Sequence, residues 1–199
     1  KEFRLKSSIP VQNLPERVRL KPGMFSVSCP DLRVSTEGLL SISAYDAETG
    51  ALLAESNPLL IDPEPAYSRY WGDLHGQSEE TIGTNSIDYY FSFARDKAFL
   101  DVSCHQGNDF QIDEGLWKRI QEATKGFNRD GSFVVFPGYE WSGNTGMGGD
   151  HNVIYKDEGN PIFHSCHALI QHEAGISPTA STTEELFASL KGKEVFLYA

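Results

Sequence analysis

The chain has 199 residues and an ordinary hydrophobic fraction of 39%, enough to bury one or two cores. Its 28 acidic residues outnumber 17 lysines and arginines, giving a formal net charge of −11, which does not favour nucleic acid as a partner. No apolar run approaches the roughly 18 residues of a membrane span, so we expect a soluble protein. Because Lys1 is not an initiator methionine, the sequence assigns no compartment.

Residues 1–66 are predicted to be β-structure. Apolar and polar residues alternate at 25–29 and 40–45, and Gly or Pro turns separate such segments. About 66 residues are too few for a complete immunoglobulin-like sandwich, so we interpret them as the C-terminal part of one. Asp62-Pro63-Glu64-Pro65 is expected to be a stiff linker.

Residues 67–199 show alternating strand and helix patterns, which indicate an α/β domain with a parallel sheet. Ser86 and Asp113 are predicted N-caps, and Ser181-x-x-Glu184 is a predicted capping box. The predicted strands cover residues 69–75, 99–105, 133–140 and 194–199, and the predicted helices cover 86–97, 113–125 and 181–190.

Polar side chains stand at the ends of successive predicted strands, and one more opens a short apolar segment. They are Asp73, His75, His105 and Glu140 at strand ends, and His151 before Val153-Ile154-Tyr155. Strand ends of a curled parallel sheet converge in space, and carboxylates with neutral histidines suit Mn²⁺, Zn²⁺ or Fe²⁺. We therefore predict that these five side chains bind two or more divalent ions, with Glu140, His105 and Asp73 as catalytic residues.

Each of these residues also has a structural interpretation of its own. Asp73 fits a turn, His105 fits a loop histidine, and His151 fits a hairpin tip. Glu140 fits an exposed strand end beside a cation. Their common position at strand ends favours the metal site over four separate coincidences. A second cluster, His164, Cys166, His167 and His172, is interpreted as a surface segment.

Three segments together resemble a family of bacterial proteins catalogued as domain of unknown function 3604. They are 70–78 (Tyr-Trp-Gly-Asp-Leu-His-Gly-Gln-Ser), Ala94-Arg95-Asp96 and 137–141 (Pro-Gly-Tyr-Glu-Trp). The resemblance covers roughly residues 56–199. That family looks like a branch of the polymerase-and-histidinol-phosphatase (PHP) metallohydrolases. The resemblance therefore implies part of a distorted (β/α)₇ PHP-like barrel.

The resemblance also assigns roles to individual residues. It implies that His75 opens the ligand set, that Glu140 bridges two metals, and that His151 is a further ligand. Gln77 replaces the second histidine of the PHP pattern. In the next element Cys104-His105 replaces Asp-His, and Asn108 or Asp109 is expected to compensate.

We predict a metal-dependent hydrolase, foremost a phosphoesterase, that activates water and takes a small-molecule substrate, which would be phosphorylated for a phosphoesterase. An acyl hydrolase that uses the same metals is a further hypothesis. The rival in another class is a non-catalytic binding protein, which the departures at Gln77 and Cys104 favour slightly. Because later ligands and strands would follow Ala199, residues 1–199 alone are expected to bind metal weakly, to be inactive, and to associate with themselves or with the remaining chain.

Overall fold

The computed structural model describes residues 1–143, 146, 148–165 and 179–199. The chain divides into two compact units, Lys1–Arg69 and Tyr70–Ala199. No helix in these described ranges is long and apolar enough to cross a membrane.

The N-terminal unit consists of short antiparallel strands. A four-stranded sheet has the order Arg17–Arg19, Glu2–Ser7, Ile42–Asp46 and Leu52–Glu55, and a two-stranded sheet pairs Gly38–Leu40 with Leu59–Ile61. Leu40 is its one hydrophobic residue that is fully buried among the described residues, and residues 25–29 form no strand, contrary to the sequence pattern. The strands are β1 (Glu2–Ser7), β2 (Arg17–Arg19), β3 (Gly38–Leu40), β4 (Ile42–Asp46), β5 (Leu52–Glu55) and β6 (Leu59–Ile61).

The C-terminal unit begins with a parallel three-stranded sheet in which helices connect the strands. The strand order is β7-β8-β9, for β7 (Gly72–Gly76), β8 (Val102–His105) and β9 (Val134–Phe136). Helix α1 (Ile87–Asp96) joins β7 to β8, and helix α2 (Glu114–Phe127) joins β8 to β9. Parallel strands need such crossovers, and they bring the carboxyl ends of all three strands to one edge.

The two crossover helices begin where the sequence predicts. Helix α1 (Ile87–Asp96) is capped by Ser86, and helix α2 (Glu114–Phe127) is capped by Asp113. Each cap side chain accepts a hydrogen bond from the backbone N–H three residues further on, which satisfies a donor that the helix leaves free. The apolar faces of both helices join the main core, whose fully buried members include Ile87, Phe91, Ile112, Ile120 and Phe133.

The third helix begins one residue later than the sequence suggests. Helix α3 (Thr183–Leu190) is capped by Thr182, whose hydroxyl accepts a hydrogen bond from Glu185 N–H. The Glu185 side chain in turn accepts from Ser181 N–H at 2.7 Å. Glu185 thus accepts from the backbone N–H before the N-cap, so the predicted capping box of Ser181 and Glu184 is wrong and a related arrangement around Thr182 and Glu185 takes its place.

The predicted (β/α)₇ PHP-like barrel is wrong for this chain. After Pro137 the chain continues as β10 (Gly138–Trp141), which pairs antiparallel with β11 (His151–Tyr155), and β12 (Val195–Tyr198) is antiparallel to β11. The connection from β10 to β11, residues 142–150, is shorter than the dozen or so residues of a parallel crossover, so the chain returns antiparallel. Most sheets of the described residues are consequently small and antiparallel, with three α-helices.

Candidate functional site

The side chains of two predicted ligands, His75 and Glu140, lie in direct contact. His75 Nε2 lies 3.2 Å from Glu140 Oε2. The two residues come from the ends of β7 and β10. The His75 side chain is 50% exposed, whereas that of Glu140 is 10% exposed. The pair therefore combines a carboxylate held in the protein with an imidazole that solvent reaches.

The Asn108 side chain holds the Glu140 carboxylate from the protein side, and Gln77 supports Asn108. Asn108 Nδ2 donates to Glu140 Oε1 at 2.9 Å, and Gln77 Nε2 donates to Asn108 Oδ1 at 3.1 Å. The oxygen of Gln77 accepts from the Thr81 hydroxyl at 2.6 Å, so Gln77 presents its N–H groups to the site. We call His75, Gln77, Asn108 and Glu140 the Glu140 cluster.

Neighbouring groups shift the pKa of Glu140 in opposite directions. Burial raises the pKa of its carboxyl above the ordinary value, and the negative charges of Asp150 and Asp109 raise it further. His75 and the hydrogen bond from Asn108 oppose that shift. Like charges disfavour the ionised carboxylate, whereas a cation near Glu140 would attract it and so favour the ionised form.

His105 lies at the end of β8 but is sealed inside the unit. Its Nε2 lies 2.8 Å from the Ser78 hydroxyl, and its Nδ1 accepts from Gly107 N–H at 3.2 Å. Because Nδ1 is the acceptor, the neutral ring carries its proton on Nε2 and donates it to Ser78. Burial lowers the pKa of His105 to about 4. Both ring nitrogens are thus engaged in hydrogen bonds within the unit.

Asp73 supports the site from the side of helix α1. Its Oδ1 accepts from His75 N–H at 3.0 Å, and its Oδ2 accepts from the Tyr90 hydroxyl at 3.2 Å. The Tyr90 hydroxyl also lies 2.9 Å from the Ser103 hydroxyl. Asp73 therefore fixes the backbone that carries His75. A residue in this position orients a metal ligand without binding the ion itself.

His151 lies on the other face of the β10–β11 pair. The register places Trp141 opposite His151 and Glu140 opposite Asn152. Because neighbouring residues of a strand point to opposite faces, these two pairs are on opposite sides of the sheet. The His151 ring packs edge-to-face against Trp141 and Phe187, with centroid distances of 5.9 and 5.5 Å. The structure does not bring His151 to the Glu140 cluster.

Asn152 occupies the Glu140 face of β11 instead. Asn152 is 5% exposed, and its Oδ1 is buried without a hydrogen-bond partner among the described residues. Asp150 is exposed and directly precedes β11, and its negative charge raises the pKa of Glu140. Neither residue is identifiable from the sequence alone, because the register of β11 depends on contacts distant in sequence. The alternation of the strand identifies Asn152 once Glu140 is paired with it.

A divalent metal fits part of this arrangement. Two ligands each about 2.1 Å from one ion, and about 100° apart, are separated by about 3.2 Å, as the donor atoms of His75 and Glu140 are. Within the described ranges, however, no three His, Cys, Asp or Glu side chains are grouped so that they could hold a metal ion. Any further donor from these ranges must be an amide, a backbone group or water.

The remaining candidates do not add to the site. Cys104 is fully buried, and burial raises the pKa of its thiol to about 12, so it is not a reactive thiolate. Asp109 is buried and accepts from the backbone N–H groups of Ser142 and Ser165. His164 Nε2 lies 2.8 Å from Ile112 O, and Cys166, His167 and His172 fall outside the described residues.

The chain belongs to the family described as protein of unknown function (DUF3604), whose model matches residues 62–195. It is 25% identical over 148 residues to an uncharacterized protein of Chlamydia pneumoniae, covering 73% of this chain and 23% of that protein. It is 25% identical over 143 residues to an uncharacterized protein of Chlamydia trachomatis, covering 69% and 22%. The chain thus spans less than a quarter of the length of these relatives. No solved structure matches it.

Proposed function

We propose that the protein is a metal-dependent hydrolase of phosphate esters, with PHP-like chemistry at the Glu140 cluster. The observation that carries the proposal is the 3.2 Å approach of His75 Nε2 to Glu140 Oε2 at an open strand end. A buried carboxylate is costly without a compensating positive charge, and a divalent ion supplies one. The proposal concerns the residues of the site and does not depend on a barrel.

The side chains around the pair have supporting roles. His75 and Glu140 would hold the ion, Asn108 would orient the Glu140 carboxylate, and Asp73 would fix the backbone of His75. When bound, a divalent ion lowers the pKa of water and neutralises charge on a phosphoryl oxygen. Gln77 offers N–H groups, which can donate to an oxyanion but cannot bind a cation.

A non-catalytic binding protein is the second candidate, and a specific observation favours it. His105 has both nitrogens engaged, and Gln77 stands where the PHP pattern has a histidine. Fewer available donors weaken metal binding, because affinity follows the number and geometry of ligands. Such a protein would bind a ligand at the same surface without turning it over.

The test is metal binding and turnover by the full-length protein. We expect titration calorimetry to detect Mn²⁺ binding, and we expect hydrolysis of p-nitrophenyl phosphate or its bis-ester to require that metal. Chelation should remove turnover, and added Mn²⁺ should restore it. Turnover of p-nitrophenyl acetate alone would point to the acyl hydrolase. Metal binding without turnover of any of these esters would favour the binding protein, and absence of both would overturn the proposal.

A further inference from the structure

Three polar side chains on the Glu140 face form a row across three strands. Glu140 is opposite Asn152 in the β10–β11 register, and Asn152 is opposite Tyr198 in the β11–β12 register. Residues directly opposite each other have Cβ atoms about 5 Å apart and share a face. Asn152 therefore lies between Glu140 and Tyr198 on the surface of the sheet that carries the candidate site.

Neither neighbour in this row can satisfy Asn152 Oδ1. The ionised Glu140 carboxylate is an acceptor only, so it has no proton to donate. The Tyr198 hydroxyl donates to Leu74 O at 2.7 Å. Asn152 Oδ1 is thus a buried acceptor without a hydrogen-bond partner among the described residues, and Asn152 as a whole is only 5% exposed.

Asp150 adds negative charge near Glu140. It directly precedes β11, two residues before Asn152. Its charge reaches Glu140 strongly enough to oppose ionisation of that carboxyl. Buried polar atoms in folded proteins almost always have a partner, and an unpaired acceptor beside two carboxylates indicates a positively charged one.

We infer that Asn152 is a ligand of the cation bound at Glu140, through its Oδ1, and that Asp150 supports this binding through its charge. The inference rests on the proposed metal site and assigns the contribution of β11 to Asn152 instead of His151. An amide oxygen and carboxylates with one imidazole form an oxygen-rich donor set. Such a set suits Mn²⁺ or Mg²⁺ better than a set with several imidazoles, which suits Zn²⁺.

The first test uses Asn152→Leu in the full-length protein, with Mn²⁺ as the probe. We expect the Mn²⁺ dissociation constant to rise at least tenfold in calorimetry. The melting temperature without metal should stay equal or rise, because leucine removes an unpaired buried acceptor at similar volume. The stabilisation by Mn²⁺ should shrink accordingly. A lower melting temperature without metal, with unchanged Mn²⁺ affinity, would mean that Asn152 is structural and would overturn the inference.

Two further variants distinguish the role of Asn152 from that of its neighbour His151. Asn152→His should tighten Zn²⁺ binding at least tenfold more than Mn²⁺ binding, because it replaces an oxygen donor with an imidazole. His151→Gln should change Mn²⁺ affinity less than threefold, as should the exposed control Asn57→Leu. Loss of Mn²⁺ binding in His151→Gln together with normal binding in Asn152→Leu would contradict the assignment.

The outcome for Asn152 is distinguishable from the outcome for the hydrolase. If Asn152→Leu loses Mn²⁺ affinity while the wild type hydrolyses no ester, the ligand assignment stands and the proposed catalysis fails. If the wild type is active and Asn152→Leu binds Mn²⁺ normally, the hydrolase stands and the assignment fails. Absence of Mn²⁺ binding by the wild type would contradict both the ligand assignment and the proposed hydrolase.

Discussion

Two polar clusters at neighbouring strand ends have opposite characters. The Glu140 cluster joins a half-exposed imidazole to a carboxylate, and three of its polar side chains converge on Glu140. The cluster around His105, which consists of Ser78, Glu80, His105 and Gly107, encloses a neutral ring with both nitrogens bonded. A strand end can therefore support either a ligand or a structural histidine. Solvent access and an uncommitted lone pair distinguish the two.

The largest expected effect comes from removing Glu140. In full-length protein Glu140→Ala should weaken Mn²⁺ binding more than 100-fold and abolish ester hydrolysis, because the buried negative charge of the pair is lost. Calorimetry and the p-nitrophenyl phosphate assay measure both. The isosteric Glu140→Gln should behave similarly while remaining folded by circular dichroism. The exposed Glu158→Ala is the matched control, and wild-type activity in Glu140→Ala would refute the metal hypothesis.

Replacing His105 should produce the opposite pattern. His105→Leu leaves Gly107 N–H and the Ser78 hydroxyl without their partner inside the unit. We expect a loss of about 2–4 kcal/mol in the free energy of unfolding, because buried donors and acceptors are costly when unpaired. Urea denaturation measures this loss. Mn²⁺ affinity should stay within about threefold when it is measured below the unfolding transition, and a 100-fold loss would place His105 among the ligands.

The same sealed environment predicts a pH dependence. Burial lowers the folded-state pKa of His105 from 6.5 to about 4, with Glu80 weakly opposing the shift. Between these values the unfolded state binds the proton and the folded state does not, so stability falls as the pH drops from 6.5 to 4 and is fully present above 6.5. The contribution of His105 is up to about 3 kcal/mol, at about 1.4 kcal/mol per pKa unit.

Nuclear magnetic resonance titration of the imidazole measures this pKa directly. The ring of His105 should remain neutral at pH 5, with its proton on Nε2. The dependence of stability on pH over this range should be smaller in His105→Leu than in the wild type. A pKa near 6.5 in the folded protein would show that the ring is not sealed and would remove the contrast between the clusters.

Local sequence patterns predicted the parts of this unit that depend on local physics. Ser86 and Asp113 cap helices as expected, because N-capping depends on only a few neighbouring residues. The parallel pairing of β7, β8 and β9 also followed from the alternating strand and helix patterns, whereas Glu140 belongs to β10, outside that sheet. Pairing beyond β9 did not follow, because the direction and register of β11 depend on contacts distant in sequence. That register decides whether His151 or Asn152 faces Glu140, since a shift of one residue exchanges the two faces.

The smallest expected effect concerns Gln77, at the edge of the Glu140 cluster. Gln77 bonds to Thr81 and Asn108, and its contact with Glu140 Oε2 is long, at 3.5 Å. Gln77→Ala should weaken Mn²⁺ binding by about tenfold or less, because outer residues orient ligands without binding the ion. The free energy of unfolding should fall by about 1 kcal/mol through the lost hydrogen bonds.

The comparison with Glu140→Ala in the same calorimetric assay decides the role of Gln77, and the exposed Gln12→Ala is its control. A loss as large as that of Glu140→Ala would make Gln77 a direct ligand, and its amide would then have to turn its oxygen away from Thr81. Unchanged affinity in Gln77→Ala would show that Asn108 alone holds the Glu140 carboxylate, because the 2.9 Å hydrogen bond between them does not involve Gln77.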